Sequence, residues 1–313
     1  MIHSLYRVAA RLGLLGALCM AAMPGAAIAR DRHLPRPVPA QRIVAPAPVR
    51  PALWKLADAD TTIYLFGTVH ALPKGVQWLD GKLATAFDQS DSLVTEIIEK
   101  SPEQMRPIVA AKAMLPQGQS LRAGLSPKVR ARFEAALGKN GLPPAAFDRF
   151  QPWYAAVALS TLPVLKSGYD PANGADAILA ERARIMGKAH EALETPEYQL
   201  GLFGTLPGDL QRRYLKEVVD GMATIPNDLK TMIRYWQTGD AVRLARVMNE
   251  DESDPRLTDL LLINRNKNWA RWVQARMARP GTVFIAVGAG HLAGKGSLQD
   301  QLRAKGYAIS RVQ

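Results

Sequence analysis

Cysteine is nearly absent from this sequence, since its 313 residues contain only Cys19. A single thiol cannot form a disulfide within the chain, so the sequence excludes a disulfide framework. The sequence also lacks internal repeats, apart from one short motif described below, and it has no second proline-rich break after residue 51. The remaining length is enough for one large domain or two small ones.

Acidic residues are scarce relative to basic ones, with 28 Asp and Glu against 40 Lys and Arg and a formal net charge of +12. Residues 1–50 contain seven arginines and one aspartate, which accounts for half of that charge. Elsewhere the basic residues are scattered along amphipathic segments and do not form runs interleaved with aromatic residues. The sequence therefore gives no support to nucleic-acid binding.

The first 29 residues have the pattern of a secretory signal peptide. Two arginines form a positive n-region, residues 12–23 form an apolar stretch too short to span a bilayer, and residues 27–29 read Ala-Ile-Ala. We expect cleavage after Ala29 and a periplasmic mature protein. Cys19 would be removed with the signal peptide, so the mature chain would contain no thiol.

Residues 30–50 form a linker rich in proline and arginine. This composition predicts an extended, polyproline-like segment that buries little surface. A solvated tether is the simplest interpretation. The alternative is peripheral association of the linker with an anionic envelope surface through its arginines.

Residues 51–313 contain strand patterns at both ends and helical patterns between them. An Asp-Ala-Asp turn joins two apolar stretches within residues 52–67, which predicts a β-hairpin. Helices are predicted to start at Ser101, Ser126 and Thr195, because each of these residues precedes a proline. The order of elements predicts an α/β fold with a mixed central sheet, flanking helices and a large helical insertion at about residues 101–170.

A Gly-x-x-His motif ends two of the predicted strands. Residues 61–70 read TTIYLFGTVH, with Gly67 and His70, and residues 281–291 read GTVFIAVGAGH, with Gly288 and His291. Glycine permits a sharp turn through positive φ or a close backbone approach, so each glycine would turn the chain and place the histidine at its tip. A single histidine of this kind is more often a loop residue with one hydrogen bond, but the repetition of the motif favours a shared site.

Two glutamates also follow predicted strands. Glu96 ends the stretch SLVTE, and Glu194 ends AHEALE. The carboxyl ends of parallel strands meet at one edge of an α/β sheet, so the histidines and glutamates could converge there. Imidazole and carboxylate ligands suit Zn²⁺, Mn²⁺, Co²⁺ or Fe²⁺ and metal-activated hydrolysis. The alternatives are that Glu96 ends a strand edge and that Glu194 complements the N-terminus of the following helix.

An arginine occupies the centre of an apolar helical stripe. Residues 257, 261, 265, 269 and 273 recur at helical spacing, and position 265 is Arg265. A buried guanidinium needs a carboxylate or a bound anion, so Arg265 is predicted to pair with Glu96 or Glu194 or to orient substrate. The alternative is a side chain whose charged end extends to solvent. His190, at the start of its strand, is predicted to be structural.

Several motifs in one order resemble the TraB/GumN family, whose relatives include the Tiki proteases. They include the segment LWKLADADTTIYLFGTVHALPKG, the stretch LETPEYQLGLF, the stretch LLINRNKNWA and the segment VFIAVGAGHLAGKGSLQDQLRAKGY. The resemblance covers about residues 51–313. It implies a fold related to erythromycin esterase and ChaN-like proteins and, in the Tiki branch, a metal-dependent protease. The residues that it implies are Gly67, His70, Glu96, Gly288 and His291, with Arg265-Asn266 as the family's Arg-Asn pair.

The prediction from residues and resemblance together is a secreted metal-dependent hydrolase, most simply a peptidase acting on a peptide or protein. His70, Glu96 and His291 would hold a Mn, Co or Zn ion, Glu194 would be a further ligand or general base, and Arg265 would steady an oxyanion or a substrate carboxylate. Two alternatives stay open. One is a metal-independent esterase-like hydrolase with histidine as the general base, and the other is a haem, iron or polysaccharide-related binding protein without catalysis.

Overall fold

The computed structural model describes residues 49–249 and 254–313. The predicted signal peptide and nearly all of the predicted linker therefore lie outside the described residues. The strands are β1 (Leu53–Ala57), β2 (Thr61–Thr68), β3 (Leu72–Pro73), β4 (Ser92–Thr95), β5 (Tyr169–Asp170), β6 (Ala189–Ala192), β7 (Gly281–Gly288) and β8 (Ser310–Arg311).

A mixed six-stranded sheet forms the centre of the protein, in the order β6-β4-β7-β2-β1-β8. The four strands β6, β4, β7 and β2 are parallel, whereas β1 and β8 are antiparallel to their neighbours. The predicted hairpin is β1–β2, with residues 58–60 in its turn. The α/β fold with a mixed sheet is confirmed.

Helices fill the connections between the strands. They are α1 (Gly81–Asp88), α2 (Pro102–Ala113), α3 (Pro127–Lys139), α4 (Pro152–Lys166), α5 (Ala175–Ile185), α6 (Pro196–Gly204), α7 (Gly208–Gly221), α8 (Ile225–Gln237), α9 (Ala241–Asn249), α10 (Pro255–Thr258), α11 (Asn264–Arg276) and α12 (Leu298–Arg303). A π-helical segment, Asp259–Ile263, joins α10 to α11. Among the described residues, no helix is both long and apolar enough to cross a membrane.

The helix starts predicted from Ser-Pro and Thr-Pro are all present, but their caps differ. Ser101 makes a complete capping box with Gln104, and the Thr195 hydroxyl accepts from the Tyr198 N–H. The backbone of Ser126 has the same extended conformation, yet its side chain makes no capping hydrogen bond. A serine or threonine before proline thus predicted where each of these helices begins, but not whether its side chain would form a capping hydrogen bond.

Apolar side chains form clusters on both faces of the sheet and a further cluster among the helices. Phe66 and Phe284 point to the face covered by α1, α5 and α8, while Leu65 and Ile285 point to the face covered by α11 and α12. The third cluster is centred on α4, α6 and α7 and includes residues of α2 and α3. Residues 101–170 contribute α2, α3 and α4 to it. The sheet is therefore covered on both faces, as expected for parallel strands.

Candidate functional site

The carboxyl ends of the parallel strands bring the predicted residues together. Gly67 of β2 lies opposite Val287 of β7 and Thr68 lies opposite Gly288, so the two Gly-x-x-His motifs begin within one residue of each other along the sheet. On the other side of β7, the ladder between β4 and β6 continues past the strands, because the Glu194 N–H donates to the Glu96 carbonyl oxygen at 2.8 Å. His70, Glu96, Glu194 and His291 therefore all lie at one edge, as the strand pattern predicted.

The motif glycines allow close approach and do not adopt positive φ. Neither Gly67 nor Gly288 is among the described residues with positive φ, which corrects the first of the two reasons predicted for them. A Cβ added to Gly67 would lie 3.0 Å from the Ala289 Cα, so a side chain there would push the two motifs apart. A Cβ on Gly288 would lie 3.1 Å from Glu96 Oε1 and 3.3 Å from His70 Nε2.

His291 is buried and held in one tautomer by Asn266. The Asn266 amide nitrogen donates to the Gly296 carbonyl oxygen at 2.9 Å, so its oxygen faces His291 Nδ1 at 2.7 Å. Nδ1 must therefore carry the proton, which leaves the lone pair on Nε2. That nitrogen faces the Arg265 Nη1 at 3.1 Å and lies 3.9 Å from Glu96 Oε1.

His70 is held by a carboxylate that the sequence did not single out. Its Nδ1 lies 2.6 Å from Asp176 Oδ2, in the first turn of α5. Burial would lower the pKa of His70, but the charge and hydrogen bond of Asp176, with smaller contributions from Glu96 and Glu99, raise this pKa to about 9. Nδ1–H thus points to Asp176, and Nε2 points toward Gly288.

The start of α5 is fixed against the first motif by backbone contacts. The Ala175 N–H donates to the Val69 carbonyl oxygen at 2.9 Å. A Cβ on Gly174 would lie 2.4 Å from the His70 carbonyl oxygen, so only glycine fits there. These contacts place Asp176 beside His70.

Glu96 is a buried carboxylate with a partner for each oxygen. Oε1 accepts from the Gly288 N–H at 2.8 Å, while Oε2 accepts from Arg265 at 2.5 Å and from Gln199 at 3.1 Å. Burial alone would raise its pKa, but the charge of Arg265, the neighbouring His291 and His70 side chains and the Gly288 N–H hold the pKa well below the usual range. Glu96 is therefore ionised, and its Oε1 faces the space beside Gly288.

Arg265 has no exposed surface and binds both glutamates, where the sequence had predicted one or the other. Its Nη2 donates to Glu96 and, at 2.8 Å, to Glu194, while Nε donates to Glu194 at 3.0 Å. Nη1 contacts the Leu261 carbonyl oxygen at 3.1 Å as well as His291. The alternative of a side chain extending to solvent is wrong.

This network does not favour two of the predicted roles. In this arrangement all five guanidinium hydrogens of Arg265 have an acceptor, so one of these contacts would have to break before Arg265 could donate to an oxyanion or a substrate carboxylate. Glu194 accepts from Arg265, from Trp269 Nε1 at 2.9 Å and from Gln199 at 2.9 Å, so its lone pairs are occupied. Glu194 therefore shares with Glu96 the charge of the buried guanidinium, and its role as a further ligand or general base stays a prediction.

The space beside Gly288 has the donors that a divalent ion would require. Two imidazoles with Nδ1 protonated and one carboxylate oxygen surround it, and a side chain at Gly288 would fill it. The Thr68 hydroxyl, opposite Gly288, is buried without a hydrogen-bond partner in the described chain. Within residues 49–249 and 254–313, however, no three His, Cys, Asp or Glu side chains are already placed to hold an ion. In this arrangement the Arg265 Nη1 occupies the position facing His291.

A cleft of about 580 Å³ opens beside this centre, between α5 and the segment that follows β4. Its lining includes Glu96 and Asp176 of the site, together with Ile98, Glu99 and His190. His190 Nε2 lies 2.8 Å from the Thr95 hydroxyl, and burial lowers the pKa of this histidine. His190 was predicted to be structural, and it makes this hydrogen bond, but it also forms part of the cleft wall.

Sequence reasoning missed Asp176 and Gln199. Asp176 is one of several acidic residues in a first helical turn, and Gln199 is an ordinary glutamine one turn into α6. Neither residue ends a strand, and the contacts that place them join segments about a hundred residues apart. The only sequence feature that could have indicated Asp176 is the stretch Gly174-Ala175-Asp176, in which a glycine precedes the helix and an aspartate lies in its first turn.

Of the asparagines near Arg265, only Asn266 is in the site, because Asn264 and Asn268 are exposed.

The fold and centre define a class: an α/β protein whose parallel strands present two histidines and a glutamate at one edge, beside a buried arginine. The TraB/PrgY/gumN family profile matches residues 52–311, and the chain belongs to this family. No solved structure matches the chain.

The similar proteins include bacterial and animal sequences. The Escherichia coli (strain K12) protein YbaP, described as uncharacterized, is 25% identical over 258 residues, which are 81% of this chain and 92% of YbaP. Metalloprotease TIKI1 of Danio rerio is 24% identical over 312 residues, 83% of this chain and 63% of that protein. The metalloprotease TIKI homolog of Amphimedon queenslandica is 23% identical, over 83% of this chain and 61% of that protein.

Proposed function

We propose that this protein is a divalent-metal-dependent hydrolase that cleaves peptide bonds. The observation that carries the proposal is the convergence of His70 Nε2, Glu96 Oε1 and the His291 ring on the space beside Gly288. The metalloprotease names of the animal relatives agree in reaction class. Family membership alone does not decide the reaction, so the donor arrangement has to support it.

Formal charges support a divalent ion at this centre. Arg265 and the protonated His70 carry two positive charges, and Glu96, Glu194 and Asp176 carry three negative charges. The buried group therefore has a net charge of −1. If an ion of charge +2 replaces the His70 proton, the sum becomes zero, which removes the cost of an uncompensated buried charge.

His70, His291 and Glu96 would hold the ion, which when bound would supply water activation and Lewis-acid chemistry. Asp176 and Asn266 orient the two imidazoles through Nδ1, which leaves Nε2 of His291, and Nε2 of His70 once its proton is displaced, for binding. The Gly288 N–H fixes Glu96 Oε1. Binding would require the Arg265 Nη1 to release His291, while Nε and Nη2 keep both glutamates in place.

Metal content and thermal stability of the purified protein test this proposal. We expect wild type to take up about one equivalent of Mn²⁺, Co²⁺ or Zn²⁺ and to melt at a higher temperature with it, because a ligand bound to the native state stabilises that state. His70→Ala and His291→Ala should lose both effects. His190→Gln is the matched control and should retain them. A wild type that takes up no metal, or an uptake that survives both alanine substitutions, would contradict the proposal.

A second candidate is a metal-independent hydrolase in which His70 is the general base. The hydrogen bond to Asp176 favours it, because a carboxylate that orients an imidazole is typical of such a base. Since the pKa of His70 is about 9, this enzyme would become active only as the pH rises toward 9. Chelator-resistant hydrolysis with that pH profile would favour the second candidate. The haem-binding alternative gains nothing here, because both imidazoles face one small space.

We also propose that the chain is exported and that its signal peptide is cleaved after Ala29, which places the enzyme in the periplasm. The n-region, apolar stretch and cleavage sequence support this proposal. Its arginine-rich linker would hold it near an anionic envelope surface. N-terminal sequencing of protein from a periplasmic extract should begin at Arg30, and retention of Met1 would contradict cleavage.

A further inference from the structure

The cleft beside the centre contains one carboxylate that has no partner within the described parts of the chain. Glu99 lines the cleft with Glu96 and Asp176, and no hydrogen bond or ion pair involves its side chain there. It follows β4 by four residues, so it lies on the segment that carries Glu96. A charged side chain beside a proposed reaction centre is available to contact the substrate.

Every other charged group of the cleft is already occupied. Glu181 is paired with Arg184, Lys188 donates to the carbonyl oxygens of Asp88 and Ser90, and Asp176 and Glu96 bind within the centre. His190 is engaged with Thr95. The remaining lining is largely aliphatic: Ile97, Ile98, Ala177 and Ala180. The cleft therefore offers an apolar wall and one free negative charge.

The positive groups near Glu99 bind other partners: Arg184 is paired with Glu181, Lys188 donates to two carbonyl oxygens, and His70 is bound by Asp176. Burial raises the pKa of Glu99, the neighbouring Asp176 charge raises it further, and His70 offsets this only in part. A positive group placed in the cleft would stabilise both carboxylates. Such groups in peptides are the side chains of lysine and arginine and the α-ammonium group.

We infer that Glu99 is a specificity-determining residue and that the cleft accepts a peptide segment with a positively charged side chain beside the scissile bond. The aliphatic wall would contact the methylene groups of a lysine or arginine, and Glu99 would bind its charged end. This inference rests on the proposed function, because it assigns the substrate class of the same site. It also predicts binding in the absence of any reaction.

The test compares two N-acetylated peptides that differ in charge but hardly in shape, Ala-Arg-Ala and its citrulline counterpart, so that neither carries an α-ammonium group. Their affinities for the purified protein can be measured by calorimetry at fixed pH and salt. We expect wild type to bind the arginine peptide about tenfold more tightly, as a partly desolvated charge-assisted contact would give. Glu99→Gln should remove this preference while retaining the citrulline affinity. Glu181→Gln, on the same cleft but already paired with Arg184, is the matched control and should keep it.

Several outcomes would overturn the inference: no binding of either peptide, equal affinities in wild type, or a preference that survives Glu99→Gln. So would equal loss of both peptides in Glu99→Gln, because that would indicate a structural or catalytic role. Different results would contradict the proposed hydrolase activity. A Glu99-dependent preference in a protein that takes up no metal contradicts only the proposed function, and peptide hydrolysis without a charge preference contradicts only this inference.

Discussion

At the scale of single residues, Arg265 shows how a buried charge is accommodated. Removing a guanidinium from water is costly, and the attraction to a carboxylate offsets this cost only when the remaining hydrogens are also bonded. Here two glutamates, one carbonyl oxygen and one imidazole nitrogen satisfy it. The apolar stripe in the sequence predicted that this arginine needed a carboxylate. It could not predict that two would be used, since Glu96 and Glu194 become neighbours only through the pairing of β4 with β6.

Gly288 provides the sharpest residue-level prediction. Replacing it with alanine would place a Cβ 3.1 Å from Glu96 Oε1 and 3.3 Å from His70 Nε2, in the space proposed for the ion. Because all three proposed ligands remain, Gly288→Ala should lower metal affinity by at least about tenfold, the size of effect seen when the surroundings of metal ligands are altered. Isothermal titration with Mn²⁺ or Zn²⁺ measures this change.

Gly201→Ala is the control for that substitution. Gly201 lies within α6, and a Cβ there would have no neighbouring atom within 4 Å. Alanine should stabilise this helix by about 0.5–1 kcal/mol and leave metal affinity unchanged. Unaltered metal affinity in Gly288→Ala would show that the ion, if present, binds elsewhere.

At the scale of elements, local sequence predicted most of the architecture. The hairpin followed from an Asp-Ala-Asp turn, and the helix starts followed from Ser-Pro and Thr-Pro pairs. These signals involve residues close in sequence, where turn and cap chemistry are decisive. The π-helical segment Asp259–Ile263 was not predicted, because the apolar stripe reads as one continuous helix. A π-helical segment adds one residue to a helical turn, and whether it forms depends on how the helix packs. Here the segment lies shortly before Arg265.

The caps of α2 and α3 provide a prediction at this scale. In α2 the Ser101 hydroxyl accepts from the Gln104 N–H, and the Gln104 side chain accepts from the Ser101 N–H. Ser101→Ala should therefore lower the free energy of unfolding by about 1 kcal/mol. Ser126 also precedes a proline but makes no side-chain cap, so Ser126→Ala should cost clearly less. Urea denaturation of both variants measures the difference, and equal losses would show that the capping box contributes nothing.

At the scale of the whole molecule, the centre joins three parts of the fold. The sheet supplies His70, Glu96 and His291, the helix α11 supplies Arg265 and Asn266, and α5 and α6 supply Asp176 and Gln199. The strand ends could be predicted from sequence because parallel strands must end at one edge. The helical contributions could not, since the approach of α5 and α6 depends on long-range packing.

This arrangement predicts that metal binding should stabilise the segments around the ligand residues as well as the ligand side chains themselves. If an ion binds His70, Glu96 and His291, opening of the segments that hold them becomes costlier, and amide hydrogen exchange there should slow. Two amides report on it directly: Gly288 N–H, which donates to Glu96, and Ala175 N–H, which donates to the Val69 carbonyl oxygen. Exchange measured by mass spectrometry, with and without Mn²⁺ or Zn²⁺, should show added protection at the end of β7 and the start of α5. His291→Ala should abolish that protection in both places together, whereas protection limited to β7 would mean that α5 is not coupled to the centre through Asp176.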